Sequence, residues 1–427
     1  MTNSGQHRNW TWNLNFRPAG AALAIVIIFA LRCHAQTFKV IHAFDVSDGW
    51  YPVAGLTIDH AGNLYGATAY GGNGAYNGTV FKLTPHGSDW VLSDLYRFNG
   101  RDDGETPEAR VVFGPDGKLY GSAISGGAGG YGVVYNLQPP ASVCKSASCP
   151  WTETVLFPFQ VSGTGWEPNG DLAFDVAGNI YGATFYGPGN NCQGEEGCGA
   201  IYELMQSGGV WTEQIIHQFT YGSDGEYPTS VTYGKDGNLY GTCQGDPNNQ
   251  AKPGLVFQFV PSGGSWTEKV IHQFQHIDGD ILVGGLIFDP AGNLYGSTVG
   301  GGYFDAGTAF ELSPSGSDWQ FSSLYSFARG GADYPYGPLG ALVMDSAGNL
   351  YGATGTDGVY GYGAVFKLTP SNGGWTYTSL YDFTGGSDGS FPRNVVMDAN
   401  GNLYGITTYG GNSACQAGCG VVFEITP

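Results

Sequence analysis

Two short apolar runs joined by a glycine-rich stretch recur along most of the chain. One copy, AGNLYGATAYGGNGAYNGTVFKLTP at residues 61–85, contains a turn, a run centred on Tyr-Gly, a glycine-rich loop and a second, alternating run. Alternation of apolar and polar residues is typical of a half-buried strand, and turn residues between two such runs favour a hairpin. The unit therefore predicts a β-hairpin within a repeat array.

The Tyr-Gly pair marks seven copies of this unit. Successive glycines of the pair, from Gly66 to Gly405, are separated by 55, 61, 59, 55, 56 and 53 residues. Each interval has room for four short strands, and no long amphipathic helical pattern interrupts it. A period of this length is typical of a propeller blade and overrides the two or three domains that length alone favours.

Four strands can be assigned to each unit. In the first copy, strand A covers residues 56–58, strand B covers 63–69, strand C follows Gly78, and strand D runs from a Trp to a Phe eight residues later. The Trp-to-Phe segment occurs six times, and a seventh begins at Gln36, before the first strand A. We therefore predict an all-β, seven-bladed β-propeller with four strands per blade, closed by the N-terminal strand completing the last blade.

The repeated segments resemble a known family. Asn-Leu-Tyr-Gly-Ala-Thr, Gly-Thr-Val-Phe-Lys-Leu-Thr-Pro and Leu-Tyr-x-Phe are similar to the GloVer tandem repeat found in secreted bacterial proteins with varied anchoring modules. The resemblance covers essentially all of residues 36–427. It implies an exported repeat protein and supplies no catalytic residues.

Residues 1–35 differ from the repeats. Arg8 and Arg17 precede an apolar run over residues 19–31, no acidic residue occurs, and Cys33 and Ala35 place small residues before Gln36. This pattern predicts a secretory signal peptide at 1–35 and a single propeller domain at 36–427, because about 20 apolar residues are needed to span a bilayer. The expected location is secreted, periplasmic or at the cell surface, with no membrane span after cleavage.

Composition narrows the partners and the chemistry. Glycine (73 of 427 residues) and aromatic residues (14%) suit short strands, while a net charge of −20 disfavours nucleic acid as a partner. Six cysteines form close pairs in sequence, which predicts three local disulfides in an exported protein. These pairs are Cys144 with Cys149, Cys192 with Cys198, and Cys415 with Cys419.

The repeats also serve as an internal control for single reactive residues. Cys243 occupies a strand-B position that is Thr or Ala in the other copies, so we expect a buried framework thiol. His42, His217 and His272 share a strand-D position that elsewhere holds Tyr or Phe, which indicates a half-buried ring instead of a catalytic or metal-binding group. The recurrent Asp-x-x-Gly-Asn turn, as at Asp59, has a local capping role. No cofactor and no metal are therefore predicted.

One strand-A position varies from copy to copy and is the main candidate site. It reads Gly, Arg, Asp, Ser, Gly, Ala and Asn, and it begins the innermost strand near the mouth of the central channel. Its polar members could hold a polar ligand or an ordered water network. Polar residues are also what any solvent-filled channel mouth tolerates, so both interpretations stay open. The candidates for ligand binding are Arg110, Asp171, Ser230 and Asn394.

The connecting loops offer a second candidate surface. A recurrent Asp-Gly-x-x-Pro between strands D and A, and aromatic residues between strands B and C, are expected on one face. Rings beside polar groups are suited to sugars, so polysaccharide is one predicted partner and an extracellular protein the other. Turn chemistry explains the Asp-Gly pairs equally well. The alternative is a glycan-active hydrolase or lyase that uses Asp171 with Glu195 or Glu196.

Overall fold

The computed structural model of the chain consists of strands and connecting loops. It describes residues 36–72, 77–140, 150–160, 163–188, 192, 197–245, 253–328 and 336–426. These residues contain no helix, and hence none that could cross a membrane. Residues 1–35, on which the predicted signal peptide falls, lie outside the described part.

Twenty-eight strands form seven four-stranded sheets, the blades. The inner strands, A, are β2 (Thr57–Ile58), β6 (Val112–Phe113), β10 (Trp166–Phe174), β14 (Pro228–Tyr233), β18 (Ile287–Phe288), β22 (Val343–Met344) and β26 (Ser390–Met397). Strands B are β3 (Leu64–Thr68), β7 (Leu119–Ala123), β11 (Ile180–Tyr186), β15 (Leu239–Cys243), β19 (Leu294–Ser297), β23 (Leu350–Thr354) and β27 (Leu403–Tyr409). Strands C are β4 (Thr79–His86), β8 (Val133–Gln138), β12 (Ala200–Ser207), β16 (Leu255–Ser262), β20 (Thr308–Ser315), β24 (Ala364–Ser371) and β28 (Val421–Thr426). Strands D are β5 (Asp89–Arg97), β9 (Thr152–Pro158), β13 (Val210–Gln218), β17 (Ser265–Gln273), β21 (Asp318–Ser326), β25 (Gly374–Asp382) and β1 (Thr37–Ala43).

Each blade is an antiparallel sheet in the order A-B-C-D. Blades 1 to 6 are formed from consecutive strands, whereas blade 7 has the order β26-β27-β28-β1. Strand β1 pairs with β28 from Thr37 opposite Thr426 to Ala43 opposite Val421. The predicted seven-bladed propeller and its closure by the N-terminal strand are confirmed.

The Tyr-Gly glycine is required by a ring in the next strand. A β-carbon on Gly66 would lie 2.5 Å from the edge of the Phe81 ring, and one on Gly121 would lie 2.5 Å from the Tyr135 hydroxyl. The same approach, at 2.2 to 2.7 Å, occurs in all seven blades. A real β-carbon does not fit at such distances, so glycine at this position leaves room for the tip of an aromatic ring of strand C against strand B.

Aromatic pairs connect each blade to the next. The Phe that ends strand D packs on the strand-C ring of the following blade, as in Phe98 with Tyr135 at 5.1 Å and Phe327 with Phe366 at 4.9 Å between ring centres. The pair that closes the ring, Phe44 with Phe81, has the same separation of 5.1 Å. These rings are fully buried, so the cores between blades provide much of the hydrophobic stabilisation.

The Asp-Gly-x-x-Pro segment holds neighbouring blades together. The residue before its proline has a positive φ in several blades, for example 61° at Tyr51 and 58° at Thr106. The N–H of Thr106 donates to Asn77 O of blade 1, and its carbonyl accepts from Ile124 N of blade 2. The following Pro107 then covers Gly78, where a β-carbon would lie 2.5 Å from its ring. This motif is therefore part of the framework.

Two of the predicted disulfides are present. Cys192 pairs with Cys198 and Cys415 with Cys419, each with Cα atoms 5.2 Å apart. Cys144 and Cys149 lie outside the described residues. Cys243 is a free, fully buried thiol whose pKa is raised by burial, as its repeat position predicts.

Candidate functional site

The start of strand A in every blade contributes to one pocket at the centre of the propeller. The pocket has a volume of about 230 Å³, slightly below the ~300–1,000 Å³ typical of sites for drug-sized ligands. All four residues predicted from the sequence lie in its lining: Arg110, Asp171, Ser230 and Asn394.

Arg110 and Asp171 form an ion pair across two blades. The Arg110 Nη2 atom lies 2.7 Å from Asp171 Oδ2, the Nε atom donates to the same oxygen at 2.9 Å, and the Arg110 backbone N–H donates to Oδ1 at 3.2 Å. Each side chain is about one-third exposed. The guanidinium is thus fixed and neutralised by its partner, while its outer edge remains open to the pocket.

Ser230 and Asn394 have mainly structural contacts. The Ser230 hydroxyl is buried and lies 2.8 Å from the Thr242 hydroxyl of its own blade. The Asn394 side chain lies against the backbone of two neighbouring blades, because a β-carbon on Gly55 or on Gly340 would collide with it. Among the described residues, Asn394 Oδ1 is shielded and has no hydrogen-bond partner. These two residues therefore form part of the pocket floor.

Two charged residues that sequence reasoning missed also line the pocket. Arg393 is largely buried, donates from Nε to the Thr408 hydroxyl at 3.0 Å, and places its guanidinium 5.1 Å from the Phe391 ring centre. Burial lowers the pKa of Arg393, an effect that nearby Tyr51 and Glu108 oppose. Burial raises the pKa of Glu108, and Arg393 opposes that rise. The sequence does indicate both residues, because each directly follows the loop proline and this position also varies between blades.

The pocket has a polar side and an apolar side. Blades 2 to 4 contribute mainly charged, amide and hydroxyl groups: Glu108, Arg110, Asn169, Asp171, Thr229 and Ser230. Blades 5 and 6 contribute only aliphatic residues and glycine: Val283, Gly284, Gly285, Leu339, Gly340 and Ala341. Such a lining offers hydrogen-bonding groups on one side and C–H surface on the other.

An arc of aromatic rings continues from the pocket over blades 7 and 1. Tyr51 lines the pocket, and its ring centre lies 5.5 Å from Tyr409 and 5.2 Å from Tyr70. Further ring contacts of 4.7 to 6.0 Å extend the arc at both ends: Trp50 lies next to Tyr70, Phe391 lies next to Tyr409, and Tyr336 lies next to Phe391. The backbone bridge between Trp50 and Tyr70 joins a D-to-A loop to a B-to-C loop, so both loop sets emerge on one face as predicted.

The histidines of strand D are explained by the Asp of the neighbouring loop. His42 Nε2 lies 2.9 Å from Asp48 Oδ2, and Tyr381 donates to Asp388 in the corresponding place of another blade. In the blade that has Phe157 at this position, the following loop, residues 160–165, contains no Asp that a polar ring could contact. The position accordingly holds a framework ring.

One such ring has a further neighbour, and the described chain contains one group of three metal-ligating side chains: His217, Asp224 and Glu268.

The carboxylates available for catalysis in the pocket differ from the pair expected from the sequence. Glu195 and Glu196 lie outside the described residues. Within the pocket, Glu108 and Asp171 are the two carboxylates of the lining.

Comparisons with solved structures show the same fold. The extracellular domain assigned to a hybrid two-component system of B. thetaiotaomicron is 12% identical with a TM-score of 0.54; the alignment covers 91% of this chain and 39% of that one. PorZ, a surface component of the type-IX secretion system of Porphyromonas gingivalis, is 13% identical with a TM-score of 0.51, and the coverage is 90% and 47%. This chain thus spans less than half the length of either protein.

A third structure matches over nearly its whole length. The polysaccharide lyase Uly1 is 14% identical with a TM-score of 0.50, and the alignment covers 93% of this chain and 94% of that one. At such identities the likeness shows the propeller fold alone. A search of curated proteins finds no match.

The sequence itself matches a described repeat family. The match to the Gloeobacter/Verrucomicrobia repeat falls on residues 20–190, 144–341 and 246–427, three overlapping stretches that together include every blade. Seven units of one repeat, each forming one four-stranded blade, account for these stretches. The chain belongs to the Gloeobacter/Verrucomicrobia repeat family.

Proposed function

We propose that the protein is an extracellular binding module that holds an uncharged sugar unit of a polysaccharide in its central pocket. The observation that carries the proposal is the convergence of the unrepeated strand-A residues in one pocket with a polar and an apolar side. The aromatic arc beside Tyr51 supplies further rings for stacking on adjoining sugar units.

The charge of the pocket supports a neutral ligand. Arg110 is paired with Asp171, and Arg393 interacts electrostatically with Glu108, so the lining holds two basic and two acidic side chains. The whole chain carries a net charge of −20, which repels polyanions at long range. Uncharged hydroxyl-rich ligands avoid this penalty. Disulfides such as Cys415 with Cys419 support an oxidising, extracellular location.

Isothermal titration of the purified protein with soluble fragments of a neutral glucan and of a polyuronate tests the proposal. We expect saturable binding of a neutral glycan without release of reducing ends. Arg110→Ala should weaken this binding about tenfold or more, because a hydrogen bond to a charged group contributes about 1.5–3 kcal/mol. Arg97→Ala is the matched control, since Arg97 forms an ion pair with Asp94 on outer strand β5. Equal affinity of wild type and Arg110→Ala would refute the pocket as the site.

A glycosidase is the second candidate, favoured by the two carboxylates of the lining. Glu108 is half-buried with a raised pKa, as a general acid requires, while Asp171 is held by Arg110. If the protein cleaves a glycan, Glu108→Gln should abolish product formation while substrate binding persists. Cleavage that persists in Glu108→Gln would exclude this assignment.

A further inference from the structure

A histidine and two carboxylates meet at the interface between blades 3 and 4, away from the central pocket. His217 Nε2 on β13 lies 3.3 Å from Asp224 Oδ2 in the following loop and 3.5 Å from Glu268 Oε2 on β17. One ligating atom of each residue lies within 4.8 Å of the other two. All three side chains are at least three-quarters buried.

Other blade interfaces show which part of this group is framework. The His–Asp contact recurs as His42 with Asp48 and His272 with Asp278, and Tyr381 makes the same contact with Asp388. The Asp also caps its loop, as Asp224 does by accepting from Thr220 and Gly222. The His217–Asp224 contact alone therefore calls for no ligand.

Glu268 is the feature that distinguishes this interface. At the corresponding strand-D position blade 1 has Leu92, and three other blades place a ring over the His or Tyr of the preceding blade: Phe321 stacks on His272 at 4.1 Å, Tyr377 on Tyr325 at 5.1 Å and Phe38 on Tyr381 at 3.7 Å. Glu153 and Glu213 share the position of Glu268, but the rings of the preceding blades there are Tyr96 and Phe157. In the described chain, only the interface of blades 3 and 4 brings a histidine and this glutamate together.

The glutamate is incompletely satisfied where it lies. Its second oxygen, Oε1, is shielded from solvent and has no hydrogen-bond partner among the described residues, as is also true of Oε1 in Glu153 and Glu213; only Glu268 has a histidine beside it. Glu268 also has an oxygen within 4.8 Å of an oxygen of Asp224. Two carboxylates this close repel each other. A divalent cation would neutralise both carboxylates and bind His217 Nε2 in place of the proton of its contact with Asp224, which is released to solvent.

We propose that His217, Asp224 and Glu268 bind a divalent transition-metal ion, with Zn²⁺ the best match, and thereby clamp blade 3 to blade 4. Ligands about 2.0–2.2 Å from a tetrahedral zinc are about 3.3 Å apart, which the distances of 3.3 and 3.5 Å from Nε2 approach. An imidazole donor favours Zn²⁺ over Ca²⁺ or Mg²⁺, which prefer all-oxygen sites. Three protein ligands leave a fourth position for water. The proposal is independent of the glycan pocket.

Zinc binding by the tag-free protein tests the site. Titration calorimetry and metal analysis after dialysis should show one Zn²⁺ per chain and an increase in Tm on zinc addition, whereas Ca²⁺ and Mg²⁺ produce neither. Glu268→Gln should weaken zinc binding at least about tenfold, because loss of even an outer-shell partner costs about 10–100-fold. Glu213→Gln, the same repeat position without a histidine, should bind zinc like the wild type.

Two further variants distinguish loss of the zinc site from misfolding and from zinc binding by the free thiol. His217→Tyr restores the Tyr–Asp contact seen at Tyr96 and Asp103, so it should fold normally and lose the zinc. Cys243→Thr installs the residue of other blades and removes the free thiol, and it should retain the zinc. Absence of stoichiometric zinc in the wild type, or unchanged zinc affinity in Glu268→Gln and His217→Tyr, would overturn the proposal.

Discussion

The interfaces between blades and the lining of the central pocket are built from the same repeat, but they differ in how much their residues vary from copy to copy. Between blades, the main packing positions, such as the strand-D Phe and the Tyr-Gly glycine, keep one kind of residue in every copy. Around the pocket, different copies place Arg110, Asp171 and Gly285 at one position. The difference separates stability from function: the shared residues hold the ring closed, and the unshared ones determine what the pocket contacts.

Removing a ring from between two blades should have the largest effect on stability. Phe327 is fully buried against Phe366, so Phe327→Ala should lower the free energy of unfolding by about 3–5 kcal/mol through lost burial and a cavity. Urea unfolding followed by tryptophan fluorescence measures this loss. Val283→Ala, in the pocket wall, should cost clearly less; a cost equal to that of Phe327→Ala would contradict the comparison.

Adding one methyl group tests the same contrast within blade 5. A β-carbon on Gly296 would lie 2.5 Å from the Phe310 ring, so Gly296→Ala should destabilise the protein by about 1–3 kcal/mol. A β-carbon on pocket-lining Gly285 meets nothing closer than 3.8 Å, so Gly285→Ala should change stability by no more than about 0.5 kcal/mol. Thermal unfolding of both variants checks the pair, and similar shifts in Tm would remove the distinction.

Stability should also depend on pH through a buried carboxyl between blades. Burial raises the pKa of Glu213 to about 8, so the folded protein holds this proton between pH ~4.3, where an unfolded glutamate titrates, and pH 8. Stability should therefore fall as pH rises through that window. The Glu213→Gln variant has no carboxyl to titrate, so its stability should fall less as pH rises. The Tm of the variant minus the Tm of wild type should therefore be larger at pH 9 than at pH 5. The exposed Asp89→Asn serves as control, and parallel pH curves for wild type and Glu213→Gln would refute the assignment.

The smallest change in stability is expected where binding should change most. The Arg110–Asp171 pair is about one-third exposed, and such pairs contribute about 0–1 kcal/mol. Asp171→Asn should therefore leave the urea midpoint nearly unchanged while weakening glycan binding. A large loss of stability in Asp171→Asn would place this pair in the framework after all.

Much of the ring was predictable because repetition reveals framework positions without a structure. The spacing of Tyr-Gly pairs and the orphan strand D at Gln36 were sufficient to predict seven blades and their closure. The same alignment located four lining residues, since equivalent positions in a propeller converge on its axis.

Contacts between blades were not predictable in the same way. Glu268 and His217 lie on strands that share no backbone hydrogen bonds, so no strand register in the sequence relates them. The alignment also gives no sign that Asn394 fills space above Gly55 and Gly340, because that contact depends on how close the strands approach the axis. Glu108 and Arg393 occupy a second variable position, directly after the loop proline, which the variable strand-A position alone does not reveal.

The pairing of β1 with β28 divides folding into local steps and one distant step. Blades 1 to 6 are each formed by consecutive strands, whereas blade 7 joins residues near 40 to residues near 420. Closing a loop of this length carries the largest entropy cost in the molecule, and contacts so far apart in sequence form slowly. We expect the seam between β1 and β28 to form last during folding. It is also where the ring should first open under tension.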